Sequence, residues 1–198
     1  MKIVAKAWEN LSQWMLAQGK YVGAPLCPPV VGDGATFWVK PQHNEVKITV
    51  DAAIFENQGM SGIGLIARNN SSHMLLAKTR CFSEVMNPIL AEAMAVKEAL
   101  SWAKEWSDNI ITIESDCLVV VQMIRSTTPM RSRLGKIIVE CKDLVRVMNN
   151  AKLYFVKRST NMSAHELAQV SHICSDRMFD WRFVPVNVMH CISNDILE

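Results

Sequence analysis

The sequence predicts an α/β protein with a five-stranded mixed sheet and helices packed on both faces. Two observations carry this prediction. Apolar and polar residues alternate in three successive segments near the middle of the chain, separated by short polar turns. After these, segments with the apolar repeat of a helix alternate with two further strand-like segments.

Residues 46–56 form the first predicted strand, and the carboxylate of Asp51 lies at its centre. Residues 61–69 and 73–82 form the next two strands, and the turn between them is Asn69-Asn70-Ser71-Ser72. Such short turns predict an antiparallel meander. An acid in the middle of a strand usually faces solvent, so the position of Asp51 needs an explanation.

The remaining elements follow in alternation. Pro88 predicts a helix start, because the first turn of a helix has no use for the missing N–H. The predicted elements are a helix over 88–106, a strand over 109–116, a helix over 117–126, a helix over 133–150, a strand over 151–159 and a helix from about 162.

The chain divides into four predicted regions. Residues 1–22 have an amphipathic helical pattern, and residues 23–45 contain four of the seven prolines, as expected for a linker. Residues 46–176 form the α/β domain, and residues 177–198 form a C-terminal tail.

The composition is that of a globular protein, with 198 residues, 49% hydrophobic and 20% charged. The net charge of +2 means that any nucleic-acid surface must be local. The six cysteines include no C-x-x-C pair, which favours reduced thiols over disulfides. No signal peptide or membrane span is recognisable, so we expect an intracellular protein of the nucleus or cytoplasm.

Three acids lie where a sheet of this kind could bring them together. Asp51 is in the first strand, Glu92 is in the first turns of a later helix, and Asp116 is at the end of the fourth strand. Clustered carboxylates repel one another unless cations neutralise them. Hard divalent ions, Mg²⁺ above all, are the natural partners of such oxygen ligands.

A series of motifs from Trp38 to about Ser175 resembles the type 1 ribonuclease H family. More narrowly, it resembles the ribonuclease H-like domain of plant non-LTR retroelement polyproteins. The motifs are W-x-K-P at Trp38, KITVDAA with Asp51, SGIGLIAR, L-A-E-A-x-A around Glu92, ESDCLVVV around Asp116 and N-x-x-A-H-x-L-A from Asn161. Trp181, Pro185 and Asp195 resemble the tail that follows this domain in such proteins.

This resemblance implies a ribonuclease H-like fold, in which the last two strands are parallel. It also implies metal-dependent hydrolysis of the RNA strand of RNA/DNA hybrids, leaving a 3′-hydroxyl and a 5′-phosphate. Asp51, Glu92 and Asp116 would bind two Mg²⁺ ions, with Mn²⁺ possible, and His165 would complete the catalytic set. The protein would then be retrotransposon-derived.

Three departures from that family pattern bear on activity. Ala52 stands where these enzymes usually have glycine, and the loop before His165 is short and lacks a mobile histidine. His165 itself replaces a fourth acid. Histidine is a poor Mg²⁺ ligand, although it suits Mn²⁺ and could transfer protons. The alternative is a histidine that only packs at a helix start, in a catalytically weakened or inactive hybrid-binding remnant.

Candidate contacts to nucleic acid come from Asn87, Lys157, Arg158 and Asn161. Asn87 could hold a phosphate or simply cap the helix that begins at Pro88. A cluster of four basic residues, called the basic group below, could bind a DNA backbone or simply form a solvated surface. Its members are Arg125, Arg131, Arg133 and Lys136. A DNA exonuclease on the same fold would need a motif that is missing here.

Overall fold

The computed structural model describes residues 32–128 and 130–197. The amphipathic segment predicted over 1–22 and the first part of the predicted linker lie outside these residues. None of the helices in the described part of the chain is both long and apolar enough to cross a membrane.

The described chain forms six strands and five α-helices. The strands are β1 Glu45–Phe55, β2 Met60–Arg68, β3 Met74–Phe82, β4 Ile110–Ser115, β5 Ala151–Phe155 and β6 Met178–Phe179. The helices are α1 Pro88–Trp102, α2 Leu118–Arg125, α3 Arg133–Val147, α4 Met162–Gln169 and α5 Val186–Leu197.

The strands form one mixed sheet in the order β5-β4-β1-β2-β3-β6. β1, β2 and β3 are antiparallel, whereas β4 pairs in parallel with both β1 and β5. The predicted mixed sheet is therefore confirmed, but the count of five strands is wrong. A sixth strand, β6, pairs with β3 through Phe179 opposite Ala77. Two residues are too few to give a periodic signal in the sequence.

β1 lies at the centre of the sheet and is covered on both faces. Ile48 and Val50 belong to the large core that includes α1, α2 and α3. The side chain of Ala53 points to the opposite face of the sheet and packs against Ala168 of α4. Burial on both faces explains why most of this strand is apolar.

Gly64 of β2 allows α4 to lie directly against the sheet. A Cβ atom at this position would be 2.4 Å from the backbone nitrogen of Ala168 and 2.8 Å from the carbonyl oxygen of Ala164. Any side chain would therefore push the helix away. This close approach sets the height of α4 above β1 and β2.

Two predicted elements end earlier than expected. The helix from Pro88 continues only as a 3-10 turn after Trp102. The strand predicted over 151–159 ends at Phe155, and residues Arg158–Thr160 form a 3-10 turn. The early end of β5 matters, because it places Arg158 in a tight turn beside the end of β4.

The segment that precedes β1 packs along the domain. Ala35 forms a parallel bridge with Val156, next to β5. Trp38 is only 7% exposed. Its ring has the ammonium of Lys47 at 4.7 Å and the guanidinium of Arg68 at 4.1 Å from its centroid. These cation–π contacts tie the segment to β1 and β2.

Arg68 is fully buried and joins three parts of the fold. Its guanidinium is 2.6 Å from a carboxylate oxygen of Asp195 in α5 and donates to the hydroxyl of Ser163 in α4 at 2.5 Å. Val188 and Ile192 of α5 join the same side of the core. The region predicted as a C-terminal tail thus carries the counterion of a buried arginine.

We predict that Asp195→Asn destabilises the protein by about 3 kcal/mol, because it leaves the buried charge of Arg68 without its carboxylate. The free energy of unfolding, measured in urea, checks this. Asp180→Asn is the matched control, since Asp180 pairs with Arg182 at the surface and its loss should change stability far less. Equal effects of the two substitutions would contradict the prediction.

Candidate metal centre

The pairing of β1 with β4 places two of the predicted acids side by side. In this parallel register Val50 is opposite Ser115, the last residue of β4. Asp51 follows Val50 on β1, and Asp116 directly follows the end of β4. Their carboxylates therefore meet where β4 ends and leaves the edge of β1 uncovered.

Glu92 reaches the same point from α1. The first turn of this helix is fixed by Asn87, whose side chain accepts a hydrogen bond from the N–H of Ile89 at 3.0 Å. One carboxylate oxygen from each of Asp51, Glu92 and Asp116 lies within 4.8 Å of the other two. The three acids predicted to converge do so.

Burial and mutual repulsion change the acidity of this cluster. Burial, and then the charges of Asp51 and Asp116, hold the pKa of Glu92 well above its usual range. Burial and Asp116 raise the pKa of Asp51, although Arg158 and His165 act in the opposite direction. The cluster therefore holds protons more tightly than separate carboxylates would, unless a further cation is added.

Two oxygen atoms of the cluster fit a metal ion. Asp51 Oδ1 and Glu92 Oε2 are buried, and neither has a hydrogen-bond partner among the described residues. A buried carboxylate oxygen without a donor is costly, and a hard cation would satisfy both. All-oxygen donors of this kind suit Mg²⁺ or Mn²⁺.

His165, on the first turn of α4, lies directly against the acids. Its Nδ1 is 2.7 Å from Asp51 Oδ2, and its ring nitrogens are 2.6 and 3.1 Å from Nη2 of Arg158. An arginine can only donate hydrogen bonds, so one ring nitrogen must accept. Nδ1 is the nitrogen nearest to both neighbours, at 2.7 Å from Asp51 Oδ2 and 2.6 Å from Nη2 of Arg158, so the ring links the carboxylate to the guanidinium.

Arg158 lies inside the site and not only at its edge. Its Nη1 donates to Asp116 Oδ2 at 3.0 Å and is 3.6 Å from Asp51 Oδ1. Burial alone would lower its pKa, but the charges of Asp51, Asp116 and Glu92 raise it. From the sequence, Arg158 was predicted only as a contact to nucleic acid. The ion pair with Asp116 was not predicted, because the sequence does not show that β5 ends early.

Asn161 is fully buried beneath the site. Its amide nitrogen donates to the carbonyl oxygen of Val50 at 2.8 Å, one residue before Asp51. Its Oδ1 has no hydrogen-bond partner within the described ranges. Because Asn161 and His165 are four residues apart, the same turn holds the backbone of β1 and presents the histidine to it.

The other predicted contacts to nucleic acid are dispersed. Asn87 caps α1, whereas Lys157 is exposed, with its ammonium 5.6 Å from the ring centroid of Phe155. In the basic group, Arg125 pairs with Asp33 and donates to the carbonyl of Leu153. Its remaining members are Arg133, paired with Glu84, and the exposed Arg131 and Lys136.

Ala52 and Cys117 directly follow two of the acids in the sequence, and each is packed against the surrounding protein. Ala52, where glycine is usual in the resembling enzymes, packs against the cluster formed by Met86, Leu90 and Ala91. Its methyl group thus contacts the start of α1. Burial raises the pKa of the Cys117 thiol to about 12, so this thiol is not a reactive nucleophile at neutral pH.

We predict that Glu92→Gln stabilises the metal-free protein at neutral pH. The raised pKa means that the folded chain binds this proton more tightly than the unfolded chain. The stabilising effect of protonation is complete below the unfolded pKa of about 4.5 and is lost as the pH rises through the folded pKa. The neutral amide removes this loss, so thermal unfolding between pH 5 and 8 should show a higher and flatter Tm.

Glu98→Gln, also on α1, is the control, and its expected effect on stability is opposite to that of Glu92→Gln. Burial alone would raise the pKa of Glu98, but ion pairs with Lys78 and Arg80, both at 2.8 Å, lower it. Its removal should lower stability near neutral pH, an effect absent at low pH. A decrease in Tm for Glu92→Gln at pH 7 would contradict our account of the cluster.

Comparison with known proteins places the chain in a family. The sequence profile of the family described as reverse transcriptase-like matches residues 49–171. No curated protein matches the sequence significantly. Among solved structures, the fold is similar to that of ribonuclease H1 from the archaeon Halobacterium salinarum, with a TM-score of 0.59 and 19% identity over 66% of this chain and 99% of that chain.

Two further structures have the same fold. The N-terminal ribonuclease H domain of a Mycobacterium tuberculosis protein gives a TM-score of 0.57 with 22% identity, covering 66% of this chain and 94% of that chain. LC11 ribonuclease H1, isolated from compost and solved with an RNA/DNA hybrid, gives 0.54 with 20% identity, covering 62% and 92%. Because the matched profile spans more than half of the sequence, the chain belongs to the reverse transcriptase-like family and has a ribonuclease H-like fold.

Proposed function

We propose that the protein is a metal-dependent endonuclease that hydrolyses the RNA strand of RNA/DNA hybrids. One observation carries the proposal. Three carboxylates on three different elements converge within 4.8 Å, and two of their buried oxygens lack hydrogen-bond partners among the described residues. A cluster so costly in a metal-free state is the arrangement expected of a divalent-ion site.

The substrate class follows from the fold together with this position of the acids. LC11 ribonuclease H1, which has the same fold, was solved with an RNA/DNA hybrid bound. A hybrid is recognised through its minor groove, 2′-hydroxyls and phosphates, so sequence-independent contacts suffice. In this chain the exposed Lys157 and the half-exposed Arg158, both following β5, are the cations best placed to contact phosphates.

The roles of the chain's residues follow from their contacts. Asp51, Glu92 and Asp116 would hold the divalent ion, which supplies an activated water and neutralises charge on the phosphate. Nδ1 of His165 lies 2.7 Å from Asp51 Oδ2 and so fixes the direction of that carboxylate. Asn161 holds the backbone of β1 at Val50. Glu92 would bind the ion and orient the attacking water.

A second candidate is a hybrid-binding protein without catalytic activity, in keeping with descent from a retroelement polyprotein. Two observations favour it: Asp116, a proposed metal ligand, is already paired with Arg158, and His165 stands where the resembling enzymes have a fourth acid. In such a protein the fold and the phosphate contacts would be retained while the acids bind no ion. The two candidates therefore differ in divalent-ion binding and in cleavage.

The test is cleavage of a labelled RNA/DNA hybrid by the full chain, in Mg²⁺ and separately in Mn²⁺. Asp51→Asn should reduce cleavage by at least about a hundredfold, because it removes a metal ligand from the cluster. Asp180→Asn, which alters only a surface pair, should leave the rate unchanged.

Product ends and binding complete the test. Cleavage of the RNA strand that leaves 5′-phosphates and is lost in Asp51→Asn supports the nuclease. A folded protein that binds the hybrid but cleaves it in neither ion would overturn the proposed function in favour of the binding protein.

A further inference from the structure

The charges around the acids do not match those needed by two divalent ions. Three ionised carboxylates and the guanidinium of Arg158 sum to a net charge of −2. One divalent ion balances this charge. Two ions together with Arg158 would leave an excess of two positive charges within a few ångströms, which is strongly unfavourable in a partly buried site.

The carboxylate oxygens that are available as ligands also indicate a single ion. Asp51 Oδ2 is occupied by His165, and Asp116 Oδ2 is occupied by Arg158. Two ions held by so few carboxylates would need both oxygens of a bridging aspartate. Among the described residues, the buried oxygens without a hydrogen-bond partner, Asp51 Oδ1 and Glu92 Oε2, belong instead to one group of three acids whose ligand atoms lie within 4.8 Å of one another.

The backbone around Arg158 is fixed by several hydrogen bonds. The carbonyl of Arg158 accepts from the N–H of Asn161 at 3.0 Å, and the carbonyl of Lys157 accepts from the N–H of Thr160 at 3.0 Å. The hydroxyl of Ser159 donates to the carbonyl of Thr36 at 2.7 Å. These contacts keep the guanidinium beside Asp116. The side chain is also 52% exposed, so its outer edge can meet a phosphate.

We propose that the guanidinium of Arg158 takes the place of a second divalent cation, so that the site binds one ion per chain. This inference rests on the proposed function and specifies its metal stoichiometry. Arg158 would balance the charge of Asp116 and offer its exposed edge to the phosphate. The two-ion arrangement implied by the resemblance would then not apply to this chain.

The test is isothermal titration of the metal-free full chain with Mg²⁺ and Mn²⁺, which needs no substrate. The wild type should bind one ion. Arg158→Met keeps the length of the side chain but removes its charge, so it should bind a second ion or bind the first at least about tenfold more tightly. Arg158→Lys, which restores the charge, should return the stoichiometry to one.

Arg146→Met is the matched control for a general change in net charge. Arg146 is exposed near the end of α3, pairs only weakly with Asp143 and precedes β5, whereas the acids lie beyond the other end of that strand. It should bind one ion with unchanged affinity. Thermal unfolding of each variant verifies that the fold is retained.

The possible failures are distinguishable. Two ions bound by the wild type would overturn the inference but agree with the proposed function. No change in Arg158→Met relative to Arg146→Met would also overturn it. An ion bound by Arg158→Met but not by the wild type would overturn the inference, because the arginine would then block the site instead of replacing a second ion. Absence of ion binding in the wild type and in Arg158→Met alike would overturn the proposed function itself.

Discussion

The parallel pairing of β1 with β4 is the constraint on which the candidate site depends. It sets Val50 opposite Ser115 and so brings Asp51 and Asp116 together at the point where β4 ends. A slip of one residue would turn Asp51 to the other face of the sheet and separate the pair. The covering layers follow from the same central strand, because β1 must be buried on both faces to hold this register.

The site is held together at the expense of local stability. Its acids are buried close enough to raise the pKa of Asp51 and Glu92, and buried oxygens lack donors in the described structure. The surrounding apolar core supports this arrangement, much as functional sites commonly keep strain that the rest of a fold offsets. Arg158 lowers the electrostatic cost, and this is why its charge bears on how many ions the acids can accept.

Most of the fold could be predicted from the sequence, because its long elements have clear periods. The alternation around Asp51 and the helical repeat after Pro88 both reflect burial on defined faces. The convergence of the three acids could be predicted because the resemblance implies a fold in which the first and fourth strands are neighbours and the first helix packs over them. What could not be predicted depends on contacts between distant residues or on very short elements. β6 has two residues, and the position of Arg158 depends on where β5 ends.

The ion pair of Arg68 and Asp195 has a consequence for the order in which the protein is completed during synthesis. The two partners are 127 positions apart, so the arginine in β2 leaves the ribosome long before its carboxylate exists. Until α5 emerges, a charged group that belongs in the interior has no counterion, and α4 lacks part of its support. The buried arrangement of Arg68, Ser163 and Asp195 is therefore completed only after translation has passed Asp195.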